Sequence, residues 1–305
     1  MEVSDQVKAI IKNYEGISGP CEARLIKMLM HGRLGGTGKL VILPVDQGFE
    51  HGPARSFAMN PDAYDPHYHY QLAVDAGLSA FAAPLGMLEA GFETFSGKIP
   101  TILKVNSSNS WATTKDQAVT ASVRDAKRLG CCGIGFTMYP GSEENINLIE
   151  EFRAIAAEAR AEGLVIVLWS YPRGGDISKA GETALDVTAY AAHMAALLGA
   201  HIIKVKPPAA HIEQAEAKEI YEAHAIPRDT LCQRIEHIMQ SSFAGRRLVV
   251  FSGGSAKATD DVLAEIREIH KGGGSGSIVG RNAFQRPRAE ALELLDAVVN
   301  IYLEQ

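Results

Sequence analysis

Short apolar runs recur along the chain, and each is followed by a polar or glycine-rich turn. The runs are almost continuously apolar and rich in valine and isoleucine, which is typical of strands buried on both faces. Eight such runs occur, at residues 39–45, 80–83, 101–105, 133–137, 164–170, 201–205, 248–252 and 276–280. The pattern therefore predicts eight buried strands.

Several segments between these runs have apolar residues at helical spacing. They lie at residues 116–129, 144–162, 183–198 and 256–270, and the first three are each followed by a glycine that favours a helix C-terminus. Because strand–helix alternation predicts a parallel sheet, and eight strands close a barrel, we predict an α/β fold with a single TIM barrel, (β/α)8, over residues 39–305. Residues 1–38 are predicted to form an N-terminal helical extension that packs on the barrel. The alternative, a doubly wound open sheet, lacks the glycine-rich dinucleotide fingerprint after its first strand.

Composition narrows the classes of partner. The net charge of −6 argues against general nucleic-acid binding, which needs a basic surface. No run of about 18 apolar residues occurs, so no membrane span is predicted. The four cysteines show neither zinc-type spacing nor a disulfide framework, and the N-terminus lacks the apolar segment of a signal peptide. We therefore expect a cytoplasmic protein that acts on a small molecule.

Two lysines interrupt the sixth apolar run. Lys204 and Lys206 are two positions apart, so both point to one face of the strand, which in a barrel is the interior. Burial and a neighbouring cation both favour the neutral amine, which is the form that attacks a carbonyl. At least one of the two is therefore expected to be catalytic, and the alternative is a structural lysine beside a solvent-exposed one. Lys104 in the third run is expected to bind substrate or to pair with Asp46.

Three more polar or aromatic residues lie at or near predicted strand ends. Trp169 and Tyr171 share a face of the fifth strand by alternation, and the Tyr171 hydroxyl would lie at the end of the barrel where it can transfer a proton. Asp46 follows the first strand, on the face where barrel enzymes keep their active sites. The alternatives are a core aromatic with a satisfied hydroxyl for Tyr171 and an Asx turn for Asp46.

The last two predicted strands end in glycine-containing turns. In many barrels the loops after strands seven and eight bind a phosphate through backbone N–H groups, and glycine permits the close approach. Here an arginine adds a guanidinium that can bind phosphate in a bidentate manner. We predict a phosphate site that comprises Ser252, Gly253, Gly254, Gly280 and Arg281, with two ordinary glycine turns as the alternative.

A histidine-rich stretch follows the first strand. It includes Glu50, His51, His67 and His69, but no convincing third ligand accompanies them. We interpret this stretch as a solvated loop and predict no metal site.

Five motifs together resemble the archaeal-type class I fructose-bisphosphate aldolases, in the branch also found in bacteria. They are LPVDQGFEHGP at 43–53, WSYPRG at 169–174, HIIKVK at 201–206, VVFSGG at 249–254 and GSIVGRNAFQRP at 276–287. The motifs span nearly the whole chain in family order. The resemblance implies a TIM barrel and a metal-independent retro-aldol reaction on fructose 1,6-bisphosphate, with no cofactor and with a homo-oligomer, for which it suggests a decamer.

The resemblance also implies roles for individual residues. Lys204 corresponds to the Schiff-base lysine, Tyr171 to the proton-transfer tyrosine and Asp46 to the strand-one aspartate, while Trp169 would line the site. The chain departs from many archaeal members after the lysine, where residues 206–208 read KPP in place of a tyrosine–threonine–glycine–aspartate run. This departure leaves the contacts of the sixth loop and the exact substrate open.

Three other functions stay open on the sequence. The first is a sister lysine-dependent aldolase or thiolase that acts on another ketose phosphate, which the complete WSYPRG motif disfavours. The second is a noncatalytic barrel that binds sugar phosphates. The third is a class II metal aldolase, for which the ligand set is missing.

Overall fold

A closed barrel of eight parallel strands forms the centre of the computed structural model, which describes residues 2–253 and 257–304. The strands are β1 Leu40–Pro44, β2 Ala80–Pro84, β3 Thr101–Lys104, β4 Gly133–Met138, β5 Val165–Ser170, β6 Ile202–Val205, β7 Leu248–Ser252 and β8 Gly276–Ile278. Neighbours along the chain pair in parallel, and β8 closes on β1 with Leu40 opposite Gly276. The predicted TIM barrel is confirmed, and every predicted run contains or overlaps a strand.

Helices surround the barrel and connect consecutive strands. In chain order they are α1 Asp5–Ile11, α2 Gly19–Leu29, α3 Gln47–His51, α4 Pro53–Phe57, α5 Pro66–Asp75, α6 Leu85–Phe95, α7 Val123–Arg128, α8 Asn145–Ala161, α9 Leu185–Leu197, α10 Ala215–Ala223, α11 Leu231–Ser241, α12 Thr259–Lys271, α13 Arg281–Phe284 and α14 Arg288–Leu303. Short 3₁₀ turns occur at Pro61–Tyr64 and Gly181–Thr183. Within the described ranges, no helix combines the length and the apolarity needed to cross a bilayer.

The predicted helix over residues 116–129 is wrong in its first half. Ser122 and Asp125 form a capping box, in which each side chain accepts from the backbone N–H of the other, so α7 begins only at residue 123. Ala118–Val119 instead pairs with Asn106–Ser107 in an antiparallel hairpin above the barrel. The local capping interaction outweighs the longer helical pattern.

The interior of the barrel divides into an apolar lower part and a polar upper part. Helix α2 closes the amino-terminal end, where Leu25, Met28 and Leu29 belong to the same buried cluster as Leu40 and Ile42 from β1. The outward residues of the strands form a second cluster with the surrounding helices. Because apolar side chains fill the amino-terminal end, the buried polar groups of the interior lie toward the carboxyl ends of the strands.

Candidate active site

A cleft of about 260 Å³ opens at the carboxyl ends of the strands. A recess of about 40 Å³ continues it toward β3 and β4. The cleft and its recess bring together these predicted residues: Asp46, Lys104, Tyr171, Lys204, Lys206, Ser252, Gly253, Gly280 and Arg281. Residue Gly254, which we also predicted to bind phosphate, lies outside the described residues. The predicted residues come from six strand ends, and Thr137 and Tyr139 of the recess add the end of β4.

Lys204 lies inside the barrel on β6, opposite Trp169 of β5. It is only 5% exposed, and its Nζ atom lies 5.2 Å from the centre of the Trp169 ring and 5.3 Å from that of Tyr171. Burial lowers the pKa of Lys204 from 10.5 to about 8, although the Asp46 and Glu50 carboxylates oppose this shift. At pH 7 about 10% of such an amine is neutral, against about 0.03% at the ordinary pKa. The barrel thus supplies a nucleophilic amine.

Tyr171 is placed beside this amine by the end of β5. Burial raises the pKa of Tyr171 well above the usual value, and the side chain of Ser252 on β7 opposes this shift. The phenol therefore keeps its proton at neutral pH and can act as a proton donor. The centre of its ring also lies 5.9 Å from Nζ of Lys206, so the ring lies near the amines of both Lys204 and Lys206.

Trp169 forms the wall below the lysines. The Nζ atoms of Lys104 and Lys204 lie 5.9 and 5.2 Å from its ring centre, within the range of cation–π attraction. Gly135 on β4 makes room for this ring, because a Cβ atom at residue 135 would lie 1.9 Å from Cζ3 of Trp169. The indole position thus depends on a glycine of the neighbouring strand.

Two carboxylates line the opposite side of the cleft. Asp46 is the N-cap of α3, and Glu50 lies one helical turn later. Both carboxylates favour the charged forms of Lys104 and Lys204, against the effect of burial. Glu50 Oε1 also lies 3.8 Å from Nη1 of Arg173. From the sequence, Glu50 was considered only as part of a possible metal set, and Arg173 had no predicted role. The four-residue spacing of Asp46 and Glu50 after a strand is the signal that indicates a shared helical face.

Lys104 is held by a residue that the sequence analysis missed. Its Nζ atom donates to the backbone carbonyl of Asn106 and, at 3.2 Å, to Asn106 Oδ1. Asn106 in turn accepts from Thr137 N at 2.7 Å and donates to Thr137 O at 2.8 Å. Among the described residues, no ion pair within 4.0 Å joins Lys104 to Asp46. The predicted pairing of Lys104 with Asp46 is therefore not found, and Asn106 is its hydrogen-bond partner instead. Burial lowers the pKa of Lys104 to about 8.

Lys206 differs from Lys204 in its surroundings. It follows the last residue of β6, its side chain is 30% exposed, and its Nζ lies 3.9 Å from Glu182 Oε2. Burial lowers the pKa of Lys206, while the Glu182 carboxylate opposes this shift. The mouth position and the acidic neighbour are better suited to binding a ligand than to forming a neutral nucleophile.

The residues that follow β7 and β8 lie side by side, because the two strands are neighbours in the barrel. Asn282 connects them, since its Oδ1 accepts from Lys257 N at 2.8 Å and its Nδ2 donates to Gly253 O at 3.5 Å. Gly280 approaches β1 closely, and a Cβ atom there would lie 2.9 Å from Pro44 O. Arg281 begins α13, and its charge contributes to the low pKa of Lys204.

The chain matches a family of aldolases over most of its length. Residues 40–286 match the model described as DeoC/LacD family aldolase. The chain belongs to this family. Among curated relatives, the probable fructose-bisphosphate aldolase class 1 of Chlamydia muridarum is 37% identical over 298 residues, which cover 92% of this chain and 84% of that protein. The fructose-bisphosphate aldolase class 1 of Halobacterium salinarum is 36% identical and covers 86% of this chain and 90% of its own length.

Solved structures of similar proteins have the same architecture. An archaeal fructose 1,6-bisphosphate aldolase superposes with a TM-score of 0.77 at 32% identity, covering 92% of this chain and all of that one. A second archaeal aldolase, whose catalytic lysine is covalently bound to the carbinolamine intermediate of its substrate, gives a TM-score of 0.76 at 30% identity over 92% of this chain and 100% of that one. The resemblance stated from the five motifs is therefore confirmed at the level of family and fold.

The histidine-rich stretch has a structural role in part. His69 is buried in α5, and its Nε2 pairs with Ala63 O at 2.7 Å, while Nε2 of His67 pairs with Ala90 O at 2.8 Å. Among the described residues, no three His, Cys, Asp or Glu side chains group as a metal site. The interpretation of this stretch as a solvated loop is wrong, because residues 66–75 form a helix with His69 in its buried face.

Proposed function

We propose that this chain is a class I aldolase that reversibly cleaves fructose 1,6-bisphosphate to dihydroxyacetone phosphate and glyceraldehyde 3-phosphate, with Lys204 as the Schiff-base residue. The observation that carries the proposal is the buried Lys204 amine, whose pKa is lowered to about 8 beside Tyr171. The names of its class 1 relatives support the substrate. Burial of the Lys204 amine lowers the stability of the folded protein, and a noncatalytic barrel would have no function to offset that loss.

The neutral amine of Lys204 attacks the C2 ketone of the substrate and forms a carbinolamine. Loss of water gives a protonated imine, which serves as the electron sink. Asp46 accepts the proton of the C4 hydroxyl, the C3–C4 bond breaks, and its electrons pass to the imine to give an enamine. Glyceraldehyde 3-phosphate leaves at this stage.

The second half of the reaction returns the enzyme to its starting state. Tyr171 protonates C3 of the enamine, and water then hydrolyses the imine to release dihydroxyacetone phosphate. The proton held by Asp46 passes back to Tyr171, so the proton balance closes. The imine replaces the Lewis acidity that a metal supplies in other aldolases, so the proposed reaction needs no cofactor.

The two ends of the cleft suit the two phosphates of the substrate. One phosphate would bind the turns after β7 and β8, at Ser252, Gly253, Gly254, Gly280 and Arg281, which brings C2 to Lys204. Lys206 and Arg173 at the mouth would bind the other. Lys104 and Trp169 would contact the sugar between them.

The cellular setting is part of the proposal. Four free cysteines are consistent with a reduced cytoplasm, where the reaction would serve glycolysis or gluconeogenesis. A homo-oligomer, for which the resemblance suggests a decamer, is the proposed assembly.

A cleavage assay with three lysine variants tests the proposal. Lys204→Met should abolish turnover of fructose 1,6-bisphosphate, and Lys206→Met should mainly raise KM because it removes a binding charge. Lys218→Met, at an exposed position of α10, is the matched control and should behave as wild type. Turnover by Lys204→Met at the wild-type rate would refute the assignment. Wild-type cleavage of another ketose phosphate in preference to fructose 1,6-bisphosphate would change the substrate and leave the lysine role intact.

A further inference from the structure

A cavity larger than the cleft lies at the other end of the barrel, beneath the amino-terminal ends of β6 and β7. Its volume is about 470 Å³, and its wall comes from the α1–α2 connection, the end of α8 and the residues just before β6 and β7. This volume lies in the range of cavities that bind small molecules. The proposed aldolase reaction uses none of its residues.

Two arginines line this cavity without an acidic partner. Arg160 donates from Nη2 to Leu198 O at 3.0 Å, and Arg247 donates from Nη1 to Asn13 O at 3.1 Å and to its neighbour's carbonyl at 2.8 Å. Within the described ranges, neither guanidinium lies within 4.0 Å of a carboxylate, so no ion pair occupies either group. Carbonyl contacts orient the two groups, and the Arg247 guanidinium also lies 4.9 Å from the Tyr14 ring centre and 5.2 Å from that of Phe243, but no carboxylate neutralises either charge.

A buried histidine adds a hydrogen-bond donor to the same wall. His201 is 5% exposed, and its Nδ1 accepts from Ile166 N at 2.9 Å, so the proton of the neutral ring lies on Nε2. Burial and the two arginines lower the pKa of His201 to about 4, which keeps the ring neutral. The sulfur of Cys21 lies 3.8 Å from Nδ1 and 4.0 Å from Nε2, beside the ring, so it is a poor acceptor for the Nε2 proton.

The first turn of α2 completes the wall. Ser18 is the N-cap of this 11-residue helix, and its side chain makes no capping hydrogen bond. The amino end of a helix carries partial positive charge and free backbone N–H groups, which here belong to Gly19 and Cys21 because Pro20 has none. Glu15 is the one acidic residue of the wall as described, and it is exposed at the rim. Donors and positive charge therefore dominate the interior of the cavity.

We propose that this cavity is a second binding site for a small organic phosphate. The phosphate group would lie between Arg160 and Arg247, against Nε2 of His201 and the first turn of α2, since guanidinium groups and helix amino ends both favour phosphate oxygens. Glu15 at the rim can accept a hydrogen bond from a hydroxyl group of the ligand.

The site is connected to the catalytic strand. The Tyr14 hydroxyl donates to His201 O at 2.6 Å and accepts from Leu248 N at 3.0 Å, which joins the N-terminal extension to the starts of β6 and β7. Lys204 lies three residues beyond His201 on the same segment. An occupant of the cavity would therefore contact the base of the strand that carries the proposed nucleophile.

Calorimetric titration with inorganic phosphate tests the proposal. All proteins carry Arg281→Gln and Lys206→Met, which weaken both proposed phosphate positions of the cleft, so the binding that is lost when a cavity arginine is replaced reports the cavity. This background should bind phosphate, and adding Arg160→Gln or Arg247→Gln should weaken binding about tenfold or more, since each removes a charge-assisted hydrogen bond. Arg153→Gln, also exposed on α8, is the matched control and should leave the isotherm unchanged.

Two outcomes would overturn the second site. One is an isotherm for Arg160→Gln that superimposes on that of the background, because Arg160 is exposed and its loss should not prevent folding. The other is an absence of phosphate binding in the background protein. Neither outcome bears on the aldolase proposal, whose test uses residues at the opposite end of the barrel.

Discussion

The burial of Lys204 should reduce the stability of the protein, and its removal should restore that stability. Lowering the pKa of a lysine from 10.5 to about 8 costs the folded state about 3 kcal/mol at pH 7, at 1.36 kcal/mol per unit. The folded pKa lies below the unfolded one, so this cost is full below pH 8 and falls as the pH rises toward 10.5. Lys204→Met keeps a flexible chain of similar length without the charge. We therefore expect this variant to raise the free energy of unfolding at pH 7 by up to about 3 kcal/mol.

Urea-induced unfolding followed by circular dichroism, at equal protein concentration, measures this gain. The difference between Lys204→Met and wild type should be largest at pH 7 and should shrink by pH 10. Lys218→Met, which removes an exposed lysine of α10, should change the stability by less than about 0.5 kcal/mol at either pH. A Lys204→Met protein that is less stable than wild type at pH 7, or a gain that does not depend on pH, would refute the reasoning.

Three further changes test the neighbours and the titration of the site. Tyr171→Phe should lower kcat by about 10²–10⁴-fold in steady-state cleavage assays while imine formation persists, and an unchanged kcat would exclude its role as proton donor. The kcat/KM of the wild type should rise with pH, reach half its limiting value near pH 8, where half of the Lys204 amine is neutral, and level off above about pH 9; a flat profile from pH 6 to 9 would contradict this account. Gly135→Ala should lower the free energy of unfolding by about 1–3 kcal/mol, because the new methyl group overlaps the Trp169 ring. The control Gly86→Ala should not lower it, since a Cβ atom at residue 86 would have no atom within 4 Å. Equal free energies of unfolding for the two variants would show that the Trp169 ring can move away.

The barrel and its strand ends could be predicted from the sequence because both depend on local patterns. Buried parallel strands are apolar runs, and a lysine within such a run, such as Lys204, is conspicuous. Alternation then places Trp169 and Tyr171 on one face, which the structure bears out in their common contact with the Lys204 amine. Asp46 was recognisable because it directly follows the first apolar run, residues 39–45.

The remaining parts of the site depend on packing between distant segments. Asn106 binds Lys104 only because a short hairpin folds above β3, and part of that hairpin falls within the helix predicted over residues 116–129. Arg173 and Glu50 meet across the cleft from different strand ends, and no spacing along the chain indicates their distance. The cavity around His201 likewise needs the N-terminal extension in place before its wall exists.

Borohydride trapping with dihydroxyacetone phosphate tests the central claim most directly. Reduction should attach the substrate to the protein irreversibly, and peptide mass mapping should place the adduct on the peptide that contains Lys204, with no adduct in Lys204→Met. An adduct on Lys206 or Lys104 in the wild type, or no adduct at all, would contradict the assignment of Lys204 as the Schiff-base residue.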